Sequence, residues 1–201
     1  MDHHKEVLAA GMQRELSEEP PIFLRVWRSQ VAHGQAIVCP RVSASLDWEG
    51  ELAVIIGTTA RRVPREGALT HVFGYSVMID VSARDNRRAG QWIFSKGMDS
   101  YAPFGPVIVT ADEIPDPQNL DLWLTVNGVE KQRSNTAKML FKVDELIADI
   151  SQGITLEPGD IIASGTPEGV GAGRDPQEFM WPGDTIVAGV EGIGRLRHPV
   201  V

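Results

Sequence analysis

Glu49 and Glu51 stand two residues apart in the stretch DWEGELAVIIG, residues 47–57, and Asp80 ends a second apolar stretch, HVFGYSVMID, residues 71–80. Both stretches read as strands. Alternation along the first puts Trp48, Gly50, Leu52 and Val54 on one side and Glu49, Glu51, Ala53 and Ile55 on the other. A carboxylate bordering a dry face costs several kcal/mol unless it is protonated, paired with a cation or bound to a metal. Glu49 and Glu51 lie about 7 Å apart along one face, by the rise of a strand, so one cation can satisfy both. The bland alternative is a strand that starts in solvent at Glu49 and turns inward after Glu51. Pairing of the two stretches would bring Asp80 beside both glutamates. Three carboxylates at the edges of apolar strands make a hard oxygen site suited to Mg²⁺, Mn²⁺ or Ca²⁺ rather than zinc. An octahedral ion on three protein oxygens keeps three positions for water or a chelating substrate, which Lewis-acid catalysis requires.

Four further residues complete a reactive set. Lys96 and Arg84 supply positive charge for a substrate carboxylate or a developing oxyanion, and His3 with Glu6 can activate water. His3 and Glu6 share a face of a short helix expected over residues 1–11, where Asp2 is a cap and Gly11 a stop. A frayed terminus with solvated charges is the alternative there. The glycine-rich stretch SGTPEGVGAG, residues 164–173, lacks the dinucleotide spacing, but its backbone amides can face an anionic group.

The elements that must position these residues are mostly strands. Residues 15–21 read as an acidic loop, 22–27 and 35–38 as short strands, and 58–69 as a loop. VSARDNRRAGQW is a short helix or turn, and PFGPVIV, residues 103–109, a strand. Residues 120–126 alternate, and Asn127-Gly128 turns them into a partner strand over 129–135. Residues 139–150 form the one strongly amphipathic helix, with Gly153 as its stop. Two Pro-Gly-Asp turns, at Pro158 and Pro182, each lead into an apolar strand.

Composition narrows the function classes. The 201 residues suit one domain, and a formal net charge of −8 argues against a nucleic-acid or anionic-membrane partner. A single cysteine, Cys39, excludes an internal disulfide and suits a reducing compartment, and no apolar run approaches the ~20 residues of a spanning helix. The expected location is the cytoplasm. Twenty glycines and thirteen prolines point to a β-rich mixed α/β fold with many turns.

The segments DWEGELAVIIG, GYSVMIDVSARD, QWIFSKGMDSYAPFGP, VNGVEKQRSNT and LEPGDIIASGTPEGVG, in that order, resemble the fumarylacetoacetate hydrolase superfamily over residues 22–201. The resemblance implies a β-roll with a sandwich core and a few short helices, in homodimers. It implies Mg²⁺ or Mn²⁺ on Glu49, Glu51 and Asp80, with the ion chelating the 1-carboxylate and 2-oxo oxygens of a pyruvate-like substrate. The family lysine falls on Lys96, its arginine on Arg84, and its Gly-Thr-Pro threonine on Thr166. The Asp-His-x-x-Glu stretch of many members fits residues 2–6, and His4 is a second candidate for the working histidine. The family usually places a strand before that helix, so the expectation is one catalytic domain over 1–201 with an abbreviated amino terminus. Arg87 stands where many relatives have a substrate-contacting glutamine; a guanidinium there favours a dicarboxylate. The reaction implied first is hydrolysis of a C–C bond in an acylpyruvate-type 1,3-diketo acid. Decarboxylation of an oxaloacetate-type β-keto acid and hydration or isomerisation of a 2-oxo-dienoate follow it, and a non-catalytic ligand-binding β-roll is the reading from another class.

Overall fold

A computed structural model of the chain describes residues 18–201. The helix expected over residues 1–11, and with it His3, His4 and Glu6, lies outside the described residues.

The fold is β-rich mixed α/β, built around one strand buried on both faces. Strand β3, Gly50–Ile56, pairs antiparallel with β4, Val72–Ile79, on one side and with β9, Ile161–Ala163, on the other. All seven β3 residues are buried. Leu52, Val54 and Ile56 enter the main core, whereas Ala53 joins Met78 and Ala102 in a smaller cluster on the opposite face. Double burial explains why the run reads as almost unbroken apolar sequence. Strands β1, Gln30–Ala32, and β6, Ala102–Thr110, complete a five-stranded sheet in the order β1-β6-β4-β3-β9. β1 runs parallel to β6.

A second, four-stranded sheet covers the apolar face of the first. Its order is β11-β10-β7-β8, from β7, Asp121–Val126, β8, Val129–Asn135, β10, Thr185–Val190, and β11, Gly194–Pro199. Leu122, Leu124 and Val126 of β7 point inward, as alternation predicts, and meet Ile186, Ala188 and Leu196 in the same core. Asn127 and Gly128 take φ of 53° and 78°, the left-handed pair that a tight hairpin between twisted strands demands. A two-residue ribbon, β2 at Leu46–Asp47 with β5 at Ser82–Ala83, ties the approach to β3 to the exit from β4. That ribbon places the DWEGE and SARD segments side by side.

Several boundaries differ from expectation. Residues 20–26 form no strand; a single 3-10 turn, Trp27–Ser29, precedes β1. The apolar residues of that stretch instead spread between solvent and one packed ring: Leu24 is 75% exposed, while Phe23 stacks on Trp92. Residues 35–38 contribute one bridge, Ile37 to Val200, rather than a strand. The amphipathic helix α2 is Val143–Gly153 and not 139–150, because Glu145 accepts the Lys142 backbone N–H and sets the first turn there. Met139 still packs in the core, from the preceding 3-10 segment. The 58–69 loop ends in a 3-10 helix, Arg65–His71. A short helix α1, Trp92–Lys96, sits inside a segment whose sequence carries no amphipathic period long enough to announce it.

Candidate metal centre

Glu51 is the second residue of β3 and Glu49 immediately precedes that strand. Cross-strand register sets Glu51 opposite Met78, and the next step of the ladder, Asp80 N–H to Glu49 C=O at 2.8 Å, sets Asp80 beside Glu49. Glu49, Glu51 and Asp80 are 6%, 3% and 2% exposed, and one oxygen from each lies within 4.8 Å of the others. The alternation expected from sequence is therefore realised on the face away from the sandwich, and the solvent-edge reading of Glu49 is excluded by its burial.

Cations surround this acid cluster. Lys96, the last residue of α1 and 1% exposed, places Nζ 2.9 Å from Glu49 Oε2 and 2.7 Å from Asp80 Oδ2. Arg84 places Nε 2.7 Å from Asp47 Oδ2 and Nη2 2.7 Å from Glu49 Oε1, with its side chain 9% exposed. Burial works against the Arg84 charge, and the Glu49 and Asp47 carboxylates more than restore it, raising its pKa. Arg84 thus holds Glu49 in place from the protein side.

Two residues of this cluster carried no sequence expectation. Arg25 donates through Nη1 to Asp80 Oδ1 and through Nη2 to the Tyr101 carbonyl. Asp47 is fully buried and accepts Trp48 N–H and Gly171 N–H at 2.7 Å and Ala172 N–H at 2.9 Å, besides Arg84. The signals were present but weak. Arg25 is a lone cation in the apolar run IFLRVW, and Asp47 lies on the same alternating face as Glu49 and Glu51.

Four carboxylates, Asp47, Glu49, Glu51 and Asp80, thus meet three cations, Arg25, Arg84 and Lys96. Glu51 is the acid left without a salt bridge among the described residues; its Oε2 accepts Gly165 N–H at 2.9 Å. Burial, then the Asp80 and Glu49 charges, push its carboxyl up to about 8, against smaller opposing pulls from Lys96 and the Gly165 N–H. A buried set of oxygen donors with one acid in surplus fits a hard divalent cation. Glu49, Glu51 and Asp80 are the residues that would hold it.

The glycine-rich loop presents its amides to anions, and those anions are the chain's own: Glu51 from Gly165, and Asp47 from Gly171 and Ala172. Thr166 is buried, its hydroxyl donating to Gly50 C=O at 3.1 Å and accepting Gln132 Nε2 at 2.8 Å. Gln132 Oε1 in turn accepts Gly50 N–H at 2.8 Å. Loop, hairpin and β3 are stitched together beside the acids. Arg87 is exposed, with Cζ 5.1 Å from the Trp92 ring centroid; Lys96 Nζ lies 5.8 Å from the same centroid.

The doubly buried β3, the sandwich and the carboxylate triad define a class of β-roll proteins with a buried acid cluster at the edge of a sheet. Within that class the chain belongs to the fumarylacetoacetate hydrolase family: the model of the family's C-terminal domain matches residues 1–201. A fumarylacetoacetate hydrolase from the psychrophile Exiguobacterium antarcticum is 42% identical, over 100% of this chain and 71% of its own, with a TM-score of 0.88. A 5-carboxymethyl-2-hydroxymuconate delta-isomerase from Mycobacterium smegmatis is 39% identical over 96% and 73%, TM-score 0.84. A maleylpyruvate hydrolase from Sphingobium sp. SYK-6 is 38% identical over 89% and 63%, TM-score 0.81. Among the described residues no helix is long and apolar enough to cross a membrane.

Proposed function

We propose that the protein is a divalent-metal-dependent hydrolase that cleaves a C–C bond in acylpyruvate-type 1,3-diketo acids such as acetylpyruvate or fumarylpyruvate, with Mg²⁺ or Mn²⁺ on Glu49, Glu51 and Asp80. The observation that carries this reading is the buried oxygen triad with Glu51 left unpaired by the surrounding cations. Held by Glu49, Glu51 and Asp80, a divalent ion would supply Lewis-acid chemistry for the pyruvyl end of the substrate. Lys96 directs a charged ammonium into the same site and stabilises the oxyanion that forms at the cleaved carbonyl. Arg84, itself held by Asp47, orients Glu49. Thr166 and Gly165 hold the loop that closes one side. His3 with Glu6, which lie outside the described residues, are assigned the proton of the attacking water from the Asp-His-x-x-Glu stretch of the sequence. Arg87, which lies against the Trp92 ring, receives a distal carboxylate. The protein acts in the cytoplasm as a homodimer.

A second reading is isomerisation of a 2-oxo-dienoate, favoured by the likeness to the Mycobacterium smegmatis isomerase. It uses the same enolate-stabilising site but needs no attacking water. One assay separates the two: incubate the protein with Mg²⁺ and acetylpyruvate or fumarylpyruvate, and follow enol absorbance and pyruvate release. Hydrolysis requires both signals and their loss with a chelator. Full turnover by Glu51→Ala, or absorbance change with no pyruvate from any acylpyruvate, overturns the hydrolase reading.

A further inference from the structure

Both Asp80 oxygens are occupied by cations of the chain. Lys96 holds Oδ2 at 2.7 Å and Arg25 holds Oδ1. Glu49 is likewise held on both oxygens, by Lys96 and Arg84. An ion that draws one oxygen from each of Glu49, Glu51 and Asp80 therefore meets a cation of the chain already on Glu49 and on Asp80. The three cations are not equally anchored. Lys96 bridges two acids with its side chain 2% exposed, on a helix fixed by Ser95 Oγ donating to Ala83 C=O at 2.9 Å. Arg84 bridges Asp47 and Glu49, inside the amide cage that the glycine-rich loop builds around Asp47. Arg25 bonds one acid and one carbonyl, and its buried Nε has no hydrogen-bond partner. It rises from residues 20–26, which form neither helix nor strand, and its neighbour Leu24 is 75% exposed.

We propose that Arg25 is a displaceable counter-ion of the metal centre: a divalent cation and the Arg25 guanidinium compete for Asp80, and binding of the ion releases Arg25 from it. The inference rests on the metal-site reading above. Exchange has a simple electrostatic logic. The guanidinium offsets the Asp80 charge in a site with surplus acid, so the fold tolerates four clustered carboxylates before the ion arrives. Displaced, it becomes a further cation beside the site, able to pair with an anionic substrate. The segment over residues 20–26, pinned at Phe23 by its 5.1 Å stack on Trp92, is the hinge that must absorb the movement.

Competition makes a prediction opposite in sign to that for a supporting residue. Arg25→Gln removes the competitor and one positive charge, so Mn²⁺ measured by calorimetry on the whole protein binds at least fivefold more tightly. Arg28→Gln is the control for net charge alone: Arg28 is exposed and lies against the Trp27 ring, and its loss shifts the Mn²⁺ dissociation constant less than twofold. In the wild type, hydrogen exchange in a peptide covering residues 20–29 rises on adding Mn²⁺ while exchange in 49–56 falls. An unchanged or weaker Mn²⁺ affinity in Arg25→Gln, an equal gain in Arg28→Gln, or slower exchange over 20–29 with Mn²⁺ overturns the inference and leaves the metal site standing. If Arg25→Gln does not fold, the wild-type exchange result decides alone. Wild-type protein that binds no Mn²⁺ sinks both the inference and the metal-site reading.

Discussion

Lys96 Nζ stands 2.7 Å from Asp80 Oδ2, with both side chains almost wholly removed from solvent. An ion pair in that setting is weak evidence for stability, yet breaking it from one side leaves a buried charge uncompensated at a cost of about 3–5 kcal/mol. Lys96→Met should therefore lower the melting temperature measured in a chelator by roughly 2–4 °C per kcal/mol for a domain of this size. Because the variant site carries more uncompensated negative charge, Mg²⁺ should restore a larger part of that loss than it adds to the wild type. Turnover should stay at background even when the fold is restored, since the oxyanion loses its ammonium. Wild-type melting by Lys96→Met without metal would contradict the geometry.

Glu51→Gln keeps the shape of the site and removes the acid that lacks a salt bridge among the described residues. Removing a residue that only hydrogen-bonds a metal ligand costs about 10–100-fold in affinity, so loss of a ligand itself should weaken Mg²⁺ or Mn²⁺ by at least that much. Thermal melts with and without the ion read the effect. The metal-free variant should melt at or above the wild type at neutral pH, because a neutral amide is buried without the proton uptake that the raised Glu51 carboxyl requires on folding.

The raised Glu51 carboxyl sets a pH window. Below 4.5, its ordinary value, the group is protonated folded or unfolded and makes no difference to stability. Between 4.5 and about 8 the unfolded chain ionises while the folded protein resists, so the metal-free protein loses stability as pH rises through that interval. Metal binding must expel the proton, so ion affinity should climb over the same interval, by at most about tenfold per pH unit for one proton, and level off above 8. Calorimetry in two buffers of different ionisation enthalpy would count the protons released. A flat profile between pH 5.5 and 8 would refute this account of Glu51.

Gly171 is where the loop meets the acid cluster. A Cβ there would stand 1.8 Å from the Glu178 carbonyl oxygen and 2.8 Å from Asp47 Oδ1, and a backbone oxygen cannot turn aside. Gly171→Ala should cost at least the 1–3 kcal/mol of ordinary overpacking and should weaken metal binding by freeing Asp47 and, through Arg84, Glu49. Gly67→Ala, where nothing lies within 4 Å of the new atom, is the control and should melt within about 1 °C of the wild type.

Arg87 lies against Trp92, whose ring also faces Lys96. If it receives a distal carboxylate, Arg87→Gln should raise KM for fumarylpyruvate about fivefold, the effect of an exposed ion pair near 1 kcal/mol, and leave acetylpyruvate unchanged. Equal changes for both substrates would remove Arg87 from recognition.

Much of the site was legible before any coordinates. Glu49, Glu51 and Asp80 announced themselves because a carboxylate in a run such as GELAVII or YSVMID is anomalous, and period-two alternation alone puts the two glutamates on one face. The NG hairpin and the Pro-Gly-Asp turns were equally plain, since only certain residues tolerate a positive φ. Short or irregular elements were not. Residues 20–26 carry a strand-like composition, but Phe23 found an aromatic partner and Leu24 found solvent, and nothing local encodes that difference. α1 is five residues long, too short for any period to show. What the chain alone determined is which residue types must leave water together: the alternating acids and the apolar strands. Tertiary structure decided their partners, because Asp47 to Arg84, Glu49 to Lys96 and Asp80 to Arg25 are separated by 37, 47 and 55 residues, and the free energy of such pairs exists only once the sheet has brought them into one desolvated space.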